Sequence, residues 1–467
     1  MTLSFHLEPT PVTPSQAEPT PVPTVLLQAE VKLAAHDPWR WFSARGPVPE
    51  EAVVWHEPAQ DLTFAAIGCV VGKSFTGEDR FAQADRWCSA IREHIMALPP
   101  HQPRPQTPLF MGGFSFAAHA PTANGPWNGW PGGRVWVPRV LIIHQGGETR
   151  AVFRERLRPG LDPRAWLERR ANALADPPAE PLLNPEATEW TETDATARSA
   201  RYRQGVRAAL QSLAEGQLHK LVLARDATFV AAPGAQFDPV QTVWRLRREY
   251  PGCTTFAFQR PDGATFLGAT PELLVESQEG AARTVALAGT RRRGTTPDED
   301  TGLTTALKES AKDQHEHRLV VEALREALMP IARELRVPDT PSVRRLSKIQ
   351  HLETTLNIDL ATEAGVLDLV RRLHPSPAVG GSPRNVALDW LTAHEGMNRG
   401  WYAGPVGWID GGLEGCFHVA LRVAVLNGDR ATAFAGAGLV EGSDPEAEWI
   451  ETEQKLGAIR RALVAKQ

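Results

Sequence analysis

Cysteine is scarce in this chain: the four present (Cys69, Cys88, Cys253, Cys416) stand far apart, with no CxxC spacing. That argues against a disulfide framework and fits reduced, buried thiols in a cytoplasmic protein. No apolar run approaches the length needed to cross a bilayer, so no membrane partner is expected. No long basic run occurs, and the net charge is −5 with a pI near 6.3, which speaks against nucleic acid. Residues 1–24 lack the basic start and apolar stretch of a signal peptide; being rich in Pro and Thr, they read as a disordered tail. No short repeat is found. What is present is 467 residues with 42% hydrophobic content, enough to bury a large core.

Four stretches are expected: the tail 1–24, a sheet-rich portion 25–174, a Pro- and acid-containing linker 175–194, and a chemically rich region 195–467. In the second, apolar runs such as Leu62–Ile67, Phe110–Phe116 and Arg139–Ile143 alternate with Gly/Pro turns and read as strands. A helix is expected near Asp79–Leu98. In the last region the spacing predicts helices at Ala197–Ala214, Asp313–Leu328, Val366–Leu373, Val386–Glu395 and Pro445–Val464. Strands are expected at 219–225, Thr254–Phe258, Thr265–Leu267, Leu273–Glu276, Ala403–Ile409, Phe417–Val425 and Ala431–Ala435. Strands in adjacent clusters rather than strict βα alternation favour an α+β fold with antiparallel sheets.

The most informative block is Ala435-Gly436-Ala437-Gly438 running into Asp444-Pro445 and the helix behind it. The small residues read as a turn whose backbone N–H groups can meet an anion. Asp444 can cap the helix and Pro445 suits its first position. Glu448, Glu451 and Lys455 then fall on one stripe. Backbone donors, carboxylates and an amine suggest an enzyme for a carboxylated substrate and a hard metal ion; the alternative is a solvated helix face.

Other residues leave similar choices open. Lys220 shares a strand face with Val222 and Ala224, so it either reaches a rim or is desolvated as a base; the alternative is an edge lysine. Arg422 lies between Ala420 and Ala424, with room for a bidentate carboxylate or for a structural partner. Glu272, at the entrance to an apolar strand, suits a general acid or a turn glutamate. Glu316 sits in a helical first turn beside His315 and His317, whose i, i+2 spacing rules out a zincin HExxH pair. A lone inward carboxylate fits Mg²⁺; the alternative is a merely charged first helical turn.

Taken together, Lys220–Arg225, Leu267–Leu274, Leu287–Arg291, Ser310–His317, Leu373–Gly381, Arg399–Trp408 and the C-terminal block resemble the chorismate-utilising enzymes. That family includes isochorismate synthases, salicylate synthases, anthranilate synthase large subunits and aminodeoxychorismate synthases. The resemblance implies a large α+β fold of stacked antiparallel sheets wrapped by helices. It implies Mg²⁺ on Glu316 and Glu448, with Glu451 beside them. Arg422, Lys455 and the Gly438 backbone are implied to hold substrate carboxylates, Thr290 and His351 to line the pocket, and Glu272 to protonate the departing C4 hydroxyl of chorismate.

Lys220 separates the branches, because amine-adding members resemble one another in having Gln there. Water needs a base, which ammonia does not. The chain therefore resembles the isochorismate and salicylate synthases, with no obligatory glutaminase subunit, and its Gly112–Phe116 and Val137–Arg139 segments resemble the menaquinone and siderophore isochorismate synthases. A salicylate synthase, which goes on to eliminate pyruvate, and less so an amine-adding synthase are the alternatives.

Overall fold

The computed structural model describes residues 25–44, 50–97, 107–118, 125–174, 176–180, 189–346, 349–361 and 364–466. Residues 1–24, expected to be a disordered tail, lie outside these. Short apolar strands can satisfy their backbone groups only against one another. Among the described residues twenty-one of them join in one hydrogen-bonded network, and a separate pair, Gln236–Phe237 with Ala465–Lys466, makes a second small sheet.

The network branches at strand Gly133–Gln145, which pairs with Leu62–Phe75, Pro108–Phe114 and Glu148–Arg156. The first arm continues from Leu62–Phe75 through Ala52–Glu57, Thr254–Gln259, Thr265–Thr270, Val423–Asn427 and Arg430–Leu439 to Lys220–Ala231. The second runs from Pro108–Phe114 through Pro405–Asp410, Gly415–Val419, Leu273–Gln278 and Ala281–Arg292 to Ile349–Leu360. These pairings are antiparallel; the pairing of Leu26–Gln28 with Ile95–Ala97 is parallel. The fold is α+β. Both arms start in strands from 25–174 and continue in strands from the later region.

Side chains alternate across a strand, so each arm has two faces to bury. Trp55, Phe64, Phe256 and Phe266 of the first arm share a core with Phe110, Trp408, Phe417 and Val275 of the second. There the rings of Trp55 and His418 lie 5.6 Å apart. The other face of the first arm, with Val54, Ala257, Leu267 and Ala433, is covered by helices Pro239–Glu249 and Pro445–Ala462. Leu456 and Ile459 of the latter are fully buried, worth about 1.5–3 kcal/mol each. Helices Ala311–Leu328 and Val366–Leu373 pack on the second arm.

Several expectations need correction. The helix at 79–98 spans Arg80–Arg92, after which Ile95–Ala97 is strand. Residues 190–193, inside the expected linker, form strand Trp190–Thr193, paired with Thr228–Ala231. The expected single strand Phe417–Val425 is two strands, Gly415–Val419 and Val423–Asn427, in different arms. Ala435–Gly438 is strand rather than turn, because pairing with Leu223–Arg225 and Val222 takes up its length.

Candidate active site

The chain changes arms twice at neighbouring points. Thr265–Thr270 belongs to the first arm and Leu273–Gln278 to the second; Gly415–Val419 and Val423–Asn427 make the opposite switch. The two corners are tied together: Val419 N–H donates to Glu272 O (3.0 Å), and Thr270 Oγ1 donates to Val419 O (2.6 Å). Glu272 and Arg422 therefore both stand at the junction of the arms and line the same cavity. Arg422 has φ 51, a left-handed conformation that a straight strand does not allow. Its place at the corner, rather than alternation along a strand, aims it at the site, with Nη1 3.5 Å from Cys253 Sγ.

A cavity of about 150 Å³ opens beside this junction, and all ten residues expected at the site line it. Lys220 enters from the first residue of strand Lys220–Ala231, only 1% exposed, with Nζ 2.8 Å from Glu316 Oε1. Strand Arg430–Leu439 lies alongside in the register Gly438 with Val222 and Gly436 with Ala224. Val222 donates its N–H to Gly380 O and Ala224 to Glu395 Oε1, away from that neighbour. Both glycines thus sit in non-hydrogen-bonded pairs, and their own N–H groups point off the far edge. A Cβ on Gly438 would stand 2.7 Å from Glu316 Oε1, so any larger residue there would push the Glu316 carboxylate aside.

Glu316 comes from helix Ala311–Leu328, which Ser310 caps by accepting the Asp313 N–H at 3.2 Å. His317 turns to the sheet, 2.8 Å from Thr354 Oγ1, which leaves Lys312 and Glu316 on the cavity stripe. Burial pushes the Glu316 carboxyl up, but the Lys220 ammonium overcomes this and holds it below the ordinary range. Glu448 and Glu451 come from helix Pro445–Ala462, where Asp444 accepts the N–H groups of Glu446 and Ala447 as expected of a cap. Burial, and then the Glu451 charge, push Glu448 up to about 7, against the pull of Lys312 3.4 Å away. Lys455 Nζ meets Glu451 at 2.7 Å and donates to Gly436 O at 2.9 Å.

Glu272 is 6% exposed, and burial pushes it up to about 7, with Lys220 and Lys455 pulling the other way. On the second arm, Gly289 (φ 75) makes a bulge that brings Thr290 opposite His351, Oγ1 to Nδ1 2.9 Å. Burial, and then the positive charges of Arg422 and Lys455, hold the His351 imidazole well below its usual range, hence neutral.

Three groups escaped the sequence reading. Lys312 could have been found from its i, i+4 spacing to Glu316. Tyr402 lines the cavity from the Arg399–Tyr402 segment. Arg399 and Glu395 form a buried pair (Nε to Oε2 2.7 Å, Nη2 to Oε1 2.6 Å) whose guanidinium also donates to Val379 O and Val222 O. That pair fixes the strand behind Lys220 to the loop on the cavity's other wall.

The chemistry of the donors suits a hard divalent cation. Glu316, Glu448 and Glu451 offer carboxylate oxygens, and Glu448, which burial and the Glu451 charge push up to about 7, is a carboxylate short of positive charge. Among the described residues, the only trio of metal-capable side chains with donor atoms within 4.8 Å of one another is Glu57, Cys416 and His418. The three glutamates thus form an open set rather than a closed cage, which is what Mg²⁺, with its water and substrate oxygens, uses.

The chain that builds this pocket of carboxylates, lysines and one arginine is matched by a family model. The description of that model is "Chorismate binding enzyme", and it covers residues 15–464. The chain belongs to the chorismate-binding enzymes. It is 38% identical over 444 residues to a salicylate biosynthesis isochorismate synthase of Pseudomonas aeruginosa, covering 94% of this chain and 90% of that protein. It is 30% identical to isochorismate synthase MenF of Bacillus subtilis, over 88% and 87% of the two chains. The solved structure of MenF from Escherichia coli superposes with a TM-score of 0.77 at 26% identity, covering 95% and 96%. These likenesses span nearly the whole chain. No helix among the described residues is long and apolar enough to cross a membrane.

Proposed function

We propose that the chain is an isochorismate synthase, an isomerase that adds water at C2 of chorismate as the C4 hydroxyl departs. The observation that carries this reading is the buried Lys220 amine facing the same cavity as the buried, proton-retaining Glu272. In its neutral form Lys220 takes a proton from the attacking water, and Glu272 delivers one to the leaving hydroxyl, so water enters and leaves in balance. Arg422, Lys455 and the outward N–H of Gly438 hold the substrate carboxylates, and Thr290 and His351 shape the ring's wall. Glu316 and Glu448, with Glu451 beside them, are the groups to hold Mg²⁺. When bound, that ion supplies positive charge opposite a substrate carboxylate.

The relatives' names support the isomerase reading, and two of them point toward menaquinone or salicylate synthesis as its use. Water as nucleophile removes the need for a glutaminase partner. The four free thiols fit the reducing cytoplasm. The test is chromatography of products after incubation with chorismate, with and without Mg²⁺. Isochorismate formed only with Mg²⁺ is expected. Salicylate with pyruvate would convert the assignment to a salicylate synthase, and anthranilate formed from ammonium would overturn it.

A further inference from the structure

Each of the three glutamates read as metal-facing has its own lysine: Glu316 with Lys220 at 2.8 Å, Glu448 with Lys312 at 3.4 Å, and Glu451 with Lys455 at 2.7 Å. The three lysines differ in what holds them. Lys220 is 1% exposed and locked in the strand, and Lys455 is also tied to the Gly436 carbonyl. Lys312 has 46% of its side chain in solvent, while its partner Glu448 has 5%. An ammonium with open water beside it can withdraw at little desolvation cost, whereas the buried carboxylate cannot follow.

We propose that Lys312 is a displaceable counter-cation that neutralises Glu448 until a divalent ion arrives, and so weakens the protein's affinity for that ion. This rests on the reading of Glu448 as a metal-facing carboxylate. Two cations cannot share Glu448 Oε1 at contact distance without strong repulsion, so the ion's binding is coupled to withdrawal of Lys312. Without Lys312, helices Ala311–Leu328 and Pro445–Ala462 would face each other across an acidic gap. With it, the gap is closed electrostatically in the metal-free enzyme. The arrangement gives Lys312 a role that a surface salt bridge does not have: it sets the concentration of cation at which the site fills.

The test is equilibrium binding of Mn²⁺, followed by electron paramagnetic resonance on the full chain without substrate. Lys312→Met removes the charge and keeps the stem; it is expected to bind Mn²⁺ roughly three- to tenfold more tightly than the parent. Lys312→Arg keeps the charge and is expected to stay within about twofold of the parent. Lys312→Gln replaces the Met variant if that one fails to fold. Glu448→Gln separates the two layers of the argument. If it binds Mn²⁺ as the parent does, the metal role of Glu448 fails and this proposal falls with it. If it loses the site while Lys312→Met and Lys312→Gln bind no more tightly than the parent, the metal reading stands and the displaceable lysine is refuted.

Discussion

Two buried ion pairs stand close together in this molecule and are built for different ends. Arg399 and Glu395, 3% and 4% exposed, meet through two bonds, and each also engages backbone: Val379 O and Val222 O on one side, Ala224 N–H on the other. Lys220 and Glu316 meet at 2.8 Å beside a cavity, and that same cavity is lined by Glu272, Glu448 and Arg422. The first pair spends its hydrogen-bonding capacity on the fold; the second faces space that a ligand can occupy. Saturation separates a weld from a site, even when burial and charge are alike.

The comparison can be broken most severely at the weld. Arg399→Met strands the Glu395 carboxylate inside the core, and a loss of about 3–5 kcal/mol of stability is expected in chemical denaturation. An unchanged midpoint would show that the pair is not holding the strand. At the site the effect moves from stability to rate. Lys220→Met is expected to cut turnover by roughly 10²–10⁴-fold while chorismate still binds by calorimetry, and retained turnover would remove it as the base. Glu272→Gln is expected to cost about 10²-fold in kcat, and an unaltered rate would take Glu272 out of the reaction.

The mildest probe is pH. Glu272 acts in its protonated form, and burial raises it to about 7, so the acid is in place below that pH and is lost above it. The rate is expected to fall about tenfold per unit on the alkaline side, once Glu272 is ionised. In Glu272→Gln the alkaline limb should vanish from whatever activity remains; its persistence would assign that limb to another group.

Much of the site was legible because its helices are local objects. Ser310 and Asp444 cap where side-chain chemistry says they should, and the 3.6-residue period sets Glu448, Glu451 and Lys455 on one stripe. Val366–Leu373 matched its expected bounds for the same reason. Strands were read less well, since a run of small residues such as Ala435–Gly438 is a turn or a strand depending on a partner far away in the chain. Alternation also misplaced Arg422, because nothing local announces that the chain changes arms between Val419 and Val423.

The amino-acid sequence by itself determined which chemical groups are available: a strand lysine, isolated carboxylates, capped helices and the order of motifs that mark the family. Tertiary structure alone decided that Lys220 meets Glu316, that Glu448 leans on Lys312, and that Glu272 sits dry at a corner shared by two arms. The reason is that capping and helical periodicity act over a few residues. Strand pairing, desolvation and charge contact act between segments that only the folded sheet brings together.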